Sequence, residues 1–309
     1  MVVLRAAGER TLPVCQKILS QHISKKYIHA IQERPFENAL RRSFQIGIES
    51  GKQWLVTLDA DVLLFPNALK DLVDAASQMP EDYVEVGARI FDKVLGTFRL
   101  AGNRVYRVSI LPKALSCIPE IGAEIRPEAA TLRKLAGCGH PHRRIGLVTG
   151  IHDFEQYYGD LYRKAFVHGQ KHDYLAGDLL KRCLKKKEAD PDFAVILRGF
   201  CDGMASAEKA TIDSGRFRDA ASGALLELGL DEKPPMDLAD FQNLDHWILS
   251  QLEFEPTAFQ DHDLPALPKI MPTARERFRE IAGKHGILAA MSYAAGSGLV
   301  KLGRKLKQL

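Results

Sequence analysis

The chain predicts an α/β fold: a mixed sheet carries the chemistry, and a mostly helical C-terminal extension follows it. Three observations predict this. Short apolar runs at residues 2–4, 27–32 and 54–58 alternate with segments of helical period, the order of an α/β sheet. The third run stops at Asp59 and Asp61, two acids separated by one alanine. Beyond residue 205 the periodicity is helical, interrupted by DEKPPMD and the proline-rich DLPALPKIMP, which read as linkers. The expected division is therefore 1–205 for the part that holds the site and 206–309 for the extension.

Residues 2–4 form a first short strand, and the polar turn Arg5 to Thr11 leads into a helix opened by Thr11 and Pro13. A second strand, Tyr27 to Gln32, ends at Glu33, Arg34 and Pro35. Glu37 to Ser50 then sets Leu40, Phe44 and Ile48 on one helical face, and Gly51 closes the helix. The strand to Asp59 follows, and Pro66 opens a helix that turns Leu69, Leu72 and Val73 inward. From Tyr83 to Ile110 apolar and polar residues alternate about turns, the pattern of a hairpin. A short helix is expected at Pro127 to Ala136, an apolar run at Gly146 to Thr149, a long helix after it, and a last strand at Phe193 to Leu197.

Composition narrows the function classes. The chain has 309 residues, 46% of them hydrophobic and 27% charged, the balance of an ordinary folded protein. Lys and Arg exceed Asp and Glu by only 43 to 39, so no nucleic-acid partner is expected. Five widely spaced cysteines with no CxxC pair argue against a disulfide scaffold or structural zinc. With no signal-like start and no apolar stretch of about 18 residues, the expected location is the cytoplasm.

Carboxylates at the end of a buried strand cost desolvation unless a cation, hydrogen-bond donors or water meet them. In an α/β sheet the strand ends are also where ligands bind. Asp59 and Asp61 thus suit Mn²⁺ or Mg²⁺ with positions left for phosphate oxygens. A solvated turn or a helix cap is the plainer alternative.

VVLRAAGERT, ENALRRSFQIGIESGKQW and LVTLDADVLLFPNAL together resemble the nucleotide-sugar-binding half of a GT-A glycosyltransferase, and are most similar to family 2. The resemblance covers residues 1–80 well and 81–175 weakly, with a shortened N-terminal core: the strand and helix that the family adds before its DxD are missing. It implies a GT-A-like fold and transfer of a sugar from a nucleoside-diphosphate donor, a UDP-sugar first, to a saccharide or lipid-linked glycan, with inversion. Asp61 would be the principal metal ligand and Asp59 would face the ribose or the metal. Arg5 and Arg10 in the turn, Glu33 as the base-contacting acid and Arg41 on the following helix would bind the nucleotide. In that family the catalytic base stands at the entrance of a helix well downstream. Asp153 lies 92 residues after Asp61, with His152 where the family has Glu.

Asp153 reads equally as a helix N-cap answered by Gln156 in a capping box. Glu155 is the second choice of base, and His152 is a candidate metal ligand. His168 and His172, four apart, read as packing or surface histidines before a metal pair. The terminal segment 281–309 sets small and apolar residues before Lys301, Arg304, Lys305 and Lys307. A helix there would dock on its own core, bind a partner or rest peripherally on the cytoplasmic face of an acidic membrane. Two other classes compete with glycosyl transfer: a metal-dependent nucleotidyltransferase, releasing pyrophosphate, and a noncatalytic carbohydrate-binding protein. The oligomeric state is not legible.

Overall fold

A computed structural model describes residues 1–171, 176–207, 217–236 and 243–252. Met1–Ser206 and Ala210–Ala258 form one compact unit; Ala207–Lys209 and Phe259–Leu309 form a second. The first unit is a mixed α/β fold. Its seven described strands are β1 (Val2–Arg5), β2 (Ile28–Ile31), β3 (Trp54–Asp59), β4 (Val62–Leu64), β5 (Glu85–Asp92), β6 (Thr97–Arg107) and β7 (His142–His152). They lie in the order β2-β1-β3-β6-β5-β7-β4.

β1 runs parallel to β2 and β3. β6 is antiparallel to both β3 and β5, and β7 is parallel to β5. Five strands, β2, β1, β3, β5 and β7, therefore point the same way. Their last residues, Ile31, Arg5, Asp59, Asp92 and His152, line one edge of the sheet.

Alternation along the strands divides the core between two faces. Val2, Leu4, Val56 and Leu58 face α1 (Leu12–His22), α3 (Ala68–Ser77) and α10 (Leu244–Ser250). Val3, Leu55 and Tyr106 face α2 (Phe36–Glu49), α4 (Leu111–Cys117) and α5 (Pro127–Gly137). A third cluster joins α6 (Tyr158–Lys171), α7 (Ala176–Lys186), α8 (Pro191–Ala205) and α9 (Arg218–Leu228).

Two expectations are corrected, and two features were not expected. Phe193 to Leu197 lies inside α8, because Asp190 caps a helix with Pro191 at its first position and Phe193, Val195, Ile196 and Phe200 are buried along it. Val62–Leu64 is a strand, antiparallel to β7, before the helix that follows Pro66. Asp153 does not cap α6, which starts at Tyr158, and the Gln156 side chain donates to Thr11 Oγ1 at 2.7 Å. DEKPPMD is no bare linker where it is described: Glu232 accepts from the amides of Tyr158 and Gly159 at 2.7 and 2.9 Å, and Lys233 pairs with Asp192 at 2.6 Å. His172 and the terminal segment 281–309 lie outside the described residues. No described helix is long and apolar enough to cross a membrane.

Candidate metal and nucleotide site

The chain leaves β3 at Asp59 and turns through Ala60 and Asp61 into β4. Thr11 Oγ1 donates to the Ala60 carbonyl at 2.6 Å, and the Ala60 amide donates to Arg5 O at 2.9 Å. This turn separates the two acids, which a continued strand would have aimed to one side. Asp59 joins Arg5 at 2.8 Å, while Asp61 faces the end of β7.

There Asp61, His152 and Asp153, all buried, bring one ligand atom each within 4.8 Å of one another. His152 Nε2 is 3.5 Å from Asp61 Oδ2, and its Nδ1 is 2.9 Å from Asp153 Oδ2 and 3.2 Å from Asp92 Oδ2. The register sets this up: Asp92 and Val62 both lie opposite His152. Asp153 has φ 65°, in the left-handed region that a non-glycine residue enters at a cost of about 1 kcal/mol or more. The bend turns its carboxylate back onto the strand end it has just left.

Lys164, on α6, completes the group. Its Nζ donates to Asp61 Oδ2 at 2.5 Å and to Asp153 Oδ1 in a shorter contact. Burial alone would raise the pKa of both acids, but Lys164 and His152 outweigh it: Asp61 is held well below the carboxylate range and Asp153 is lowered. Burial would lower the pKa of His152, yet the charges of Asp153 and Asp61 raise it well above its ordinary value. Asp61 Oδ1 is nonetheless buried with no hydrogen-bond partner among the described residues. An orphaned carboxylate oxygen beside a second carboxylate and an imidazole is a donor set that fits Mn²⁺ or Mg²⁺.

The other expected residues are placed as follows. Arg5 bridges Asp59 and Glu128, the latter at 3.0 Å, and Glu128 also receives Arg104 Nε and Tyr106 Oη at 2.7 Å. Asp59 is not in the three-residue group; burial outweighs Arg5 and leaves its pKa raised, with 31% of the side chain exposed. Arg10 donates to Glu155 at 2.9 Å and to the Pro234 carbonyl at 2.7 Å. Glu155, φ 55°, is 39% exposed at the side chain. Glu33 is exposed just past the end of β2. Arg41 is elsewhere: its guanidinium donates to the carbonyls of Leu115, Ile118 and Pro119, where α4 ends.

Sequence reasoning missed Lys164, Glu9 and Asp92. Glu9 sits in the turn after β1, where burial and the charge of Asp61 raise its pKa to about 7. Asp92 was readable, since VEVGARIFD is a second apolar strand that stops at an acid. Lys164 carries no local signal, being one of several basic residues on an amphipathic helix.

No protein-family model matches the chain, and no curated protein matches it in sequence. Among solved structures it is similar to a glycosyltransferase involved in the glycosylation of the major capsid of PBCV-1, at 15% identity over 48% of this chain and 81% of that one, TM-score 0.34. A second is the mannosyltransferase PcManGT from Pyrobaculum calidifontis in complex with GDP-Man and Mn²⁺, at 11% identity over 74% of each chain, TM-score 0.32. A third is CMP:2-keto-3-deoxy-manno-octonic acid synthetase complexed with CTP, at 12% identity over 49% of this chain and 91% of that one, TM-score 0.33. Likenesses of this size carry no weight for the reaction.

Proposed function

We propose that the chain is a GT-A-like glycosyltransferase that moves a sugar from a nucleoside-diphosphate donor, a UDP-sugar first, to an acceptor hydroxyl with inversion, in glycan or polysaccharide biosynthesis. The observation that carries this reading is the gathering of Asp61, His152 and Asp153 at the carboxyl edge of five co-directional strands, with Asp61 Oδ1 buried and unpartnered among the described residues. Asp61 and Asp153, with His152 once its Nε2 has given up a proton, would hold Mn²⁺ or Mg²⁺, which when bound neutralises charge on a departing diphosphate.

The surrounding side chains divide the remaining work. Asp59, part exposed beside Arg5, is the acid available to a ribose, and Arg10 in the same turn is within reach of the donor's phosphates once Glu155 releases it. Of the two carboxylates expected as base, Asp153 is 2% exposed and gripped by His152 and Lys164, which lower its affinity for a proton. Glu155, 39% exposed at its side chain, is the more accessible of the two to an incoming hydroxyl and takes the base role in this reading.

The test is a titration of UDP and GDP with and without Mn²⁺, followed by a donor and acceptor screen with anomeric analysis of the product. Metal-dependent binding and an inverted product are expected. A retained anomer overturns inversion, release of pyrophosphate assigns a nucleotidyltransferase, and binding without turnover assigns a carbohydrate-binding protein. Glu155→Gln should lower kcat about 100-fold or more; full activity would move the base elsewhere.

A further inference from the structure

Lys164 contacts both carboxylates of the three-residue group. Its Nζ reaches Asp61 Oδ2 at 2.5 Å and Asp153 Oδ1, while His152 takes Asp153 Oδ2 at 2.9 Å and approaches Asp61 Oδ2 at 3.5 Å. The lysine side chain is 13% exposed. It comes from α6, 103 residues after Asp61, so its position is set by packing. Gly199 and Gly203 of α8 lie against the backbone of Tyr162 and Phe166, where even a Cβ would meet a carbonyl oxygen at 2.5 or 2.0 Å. That close fit fixes the height at which α6 presents Lys164.

A divalent cation and an ammonium cannot both hold the same carboxylate oxygens at contact distance, because the two positive charges then repel across a poorly screened interior. Asp61 Oδ1 is the exception, an oxygen that Lys164 leaves free. We infer that Lys164 is the resident counter-ion of this site, which a divalent cation entering through Asp61 Oδ1 displaces and which then binds the oxygens of a nucleoside diphosphate. Lysine suits the exchange: a compact charge on a four-carbon stem changes partner without moving its helix. The inference rests on the divalent-ion reading above and adds a coupling to it. Metal alone binds weakly because it must evict Lys164, and it binds tightly with a diphosphate because the displaced charge finds a partner. By reciprocity the diphosphate gains as much from the metal.

Calorimetric titration with Mn²⁺ alone and with Mn²⁺ plus UDP, on the full chain and on Lys164→Met, tests it. In the native chain UDP should tighten Mn²⁺ binding at least about tenfold. Lys164→Met should bind Mn²⁺ alone at least about tenfold more tightly than the native chain and show a smaller gain from UDP. If the variant fails to fold, acetylation of Lys164 in the native chain, followed by mass spectrometry, gives the same information: slow without Mn²⁺ and several-fold faster with it. Native Mn²⁺ binding that Lys164→Met leaves equal or weaker, or Lys164 acetylation that Mn²⁺ does not change, overturns the inference alone. An absence of Mn²⁺ binding in both chains, with and without UDP, overturns the divalent-ion reading and this inference with it.

Discussion

Among the described residues, Asp61 Oδ2 serves two cations while its partner oxygen serves none. That asymmetry makes the residue the clearest to probe. Asp61→Asn keeps an oxygen acceptor for Lys164, so the chain should fold with a loss of about 1–3 kcal/mol, while Mn²⁺-dependent UDP binding falls more than about tenfold. Equal affinity in the two proteins would remove Asp61 from the metal. Glu9 offers a pH test. Its pKa is raised to about 7 in the fold against an ordinary value of 4.5, so below pH 4.5 both states are protonated and it has no effect. Between there and pH 7 the unfolded chain ionises first, and stability falls as pH rises. Above that window the penalty is constant, about 2 kcal/mol after allowing for partial solvation. Glu9→Gln should therefore raise the Tm at pH 8 and leave it unchanged near pH 4. A gain of equal size at both would refute the assignment.

At the scale of elements, α6 and α8 meet through glycines. A Cβ on Gly203 would lie 2.0 Å from the Phe166 carbonyl oxygen, and one on Gly169 would lie 2.4 Å from that of Phe200. Alanine at Gly203 gains about 1 kcal/mol of helix propensity, yet parting the two helices costs about 1–3 kcal/mol or more. The clash is with backbone, so the cost is expected to win. Gly203→Ala should lower the Tm by several degrees and, because α6 carries Lys164 away from Asp61, tighten binding of Mn²⁺ alone and reduce the gain from UDP. Loss of Tm with unchanged binding would show that the site does not depend on this packing. Across the sheet, a Cβ on Gly150 would lie 2.2 Å from the Leu63 carbonyl oxygen, so its absence lets β4 lie close enough to β7 to bring Asp61 beside His152.

At the scale of the molecule, the segment from Glu232 to Pro234 ties the helical part of the first unit to its site. Glu232 holds the first amides of α6, Lys233 pairs with Asp192, and the Pro234 carbonyl accepts from Arg10 in the turn after β1. Residues 281–309 carry the basic terminus noted in the sequence, with Lys301, Arg304, Lys305 and Lys307 near its end. Removal of the residues after Gly286 should reduce binding to anionic vesicles and spare donor hydrolysis, measured by co-sedimentation and by release of UDP. Undiminished vesicle binding would refute the membrane role, and aggregation would indicate that the segment completes a core.

Sequence alone determined what short-range physics writes. The runs that became β1, β2 and β3, the hairpin of β5 and β6, α2 and α5 were legible because side-chain period and Gly or Pro punctuation act over a few residues. So was the stop of a buried strand at an acid, since an unmet carboxylate is costly wherever the chain goes. The apolar run in α8 was misread because five such residues suit a buried strand or a helix alike; the Asp190 cap with Pro191 after it, and packing against α6, decide for the helix. Tertiary structure alone decided which charge meets which. Arg5 captures Asp59 because their strands pair in register, His152 meets Asp61 because β4 lies on β7, and Lys164 reaches both acids because α8 fixes the height of α6. The pairings of Arg5 with Asp59, His152 with Asp61 and Lys164 with Asp61 each span roughly fifty to a hundred residues of chain, a distance over which neither propensity nor periodicity acts and only sheet register and helix packing choose the partner.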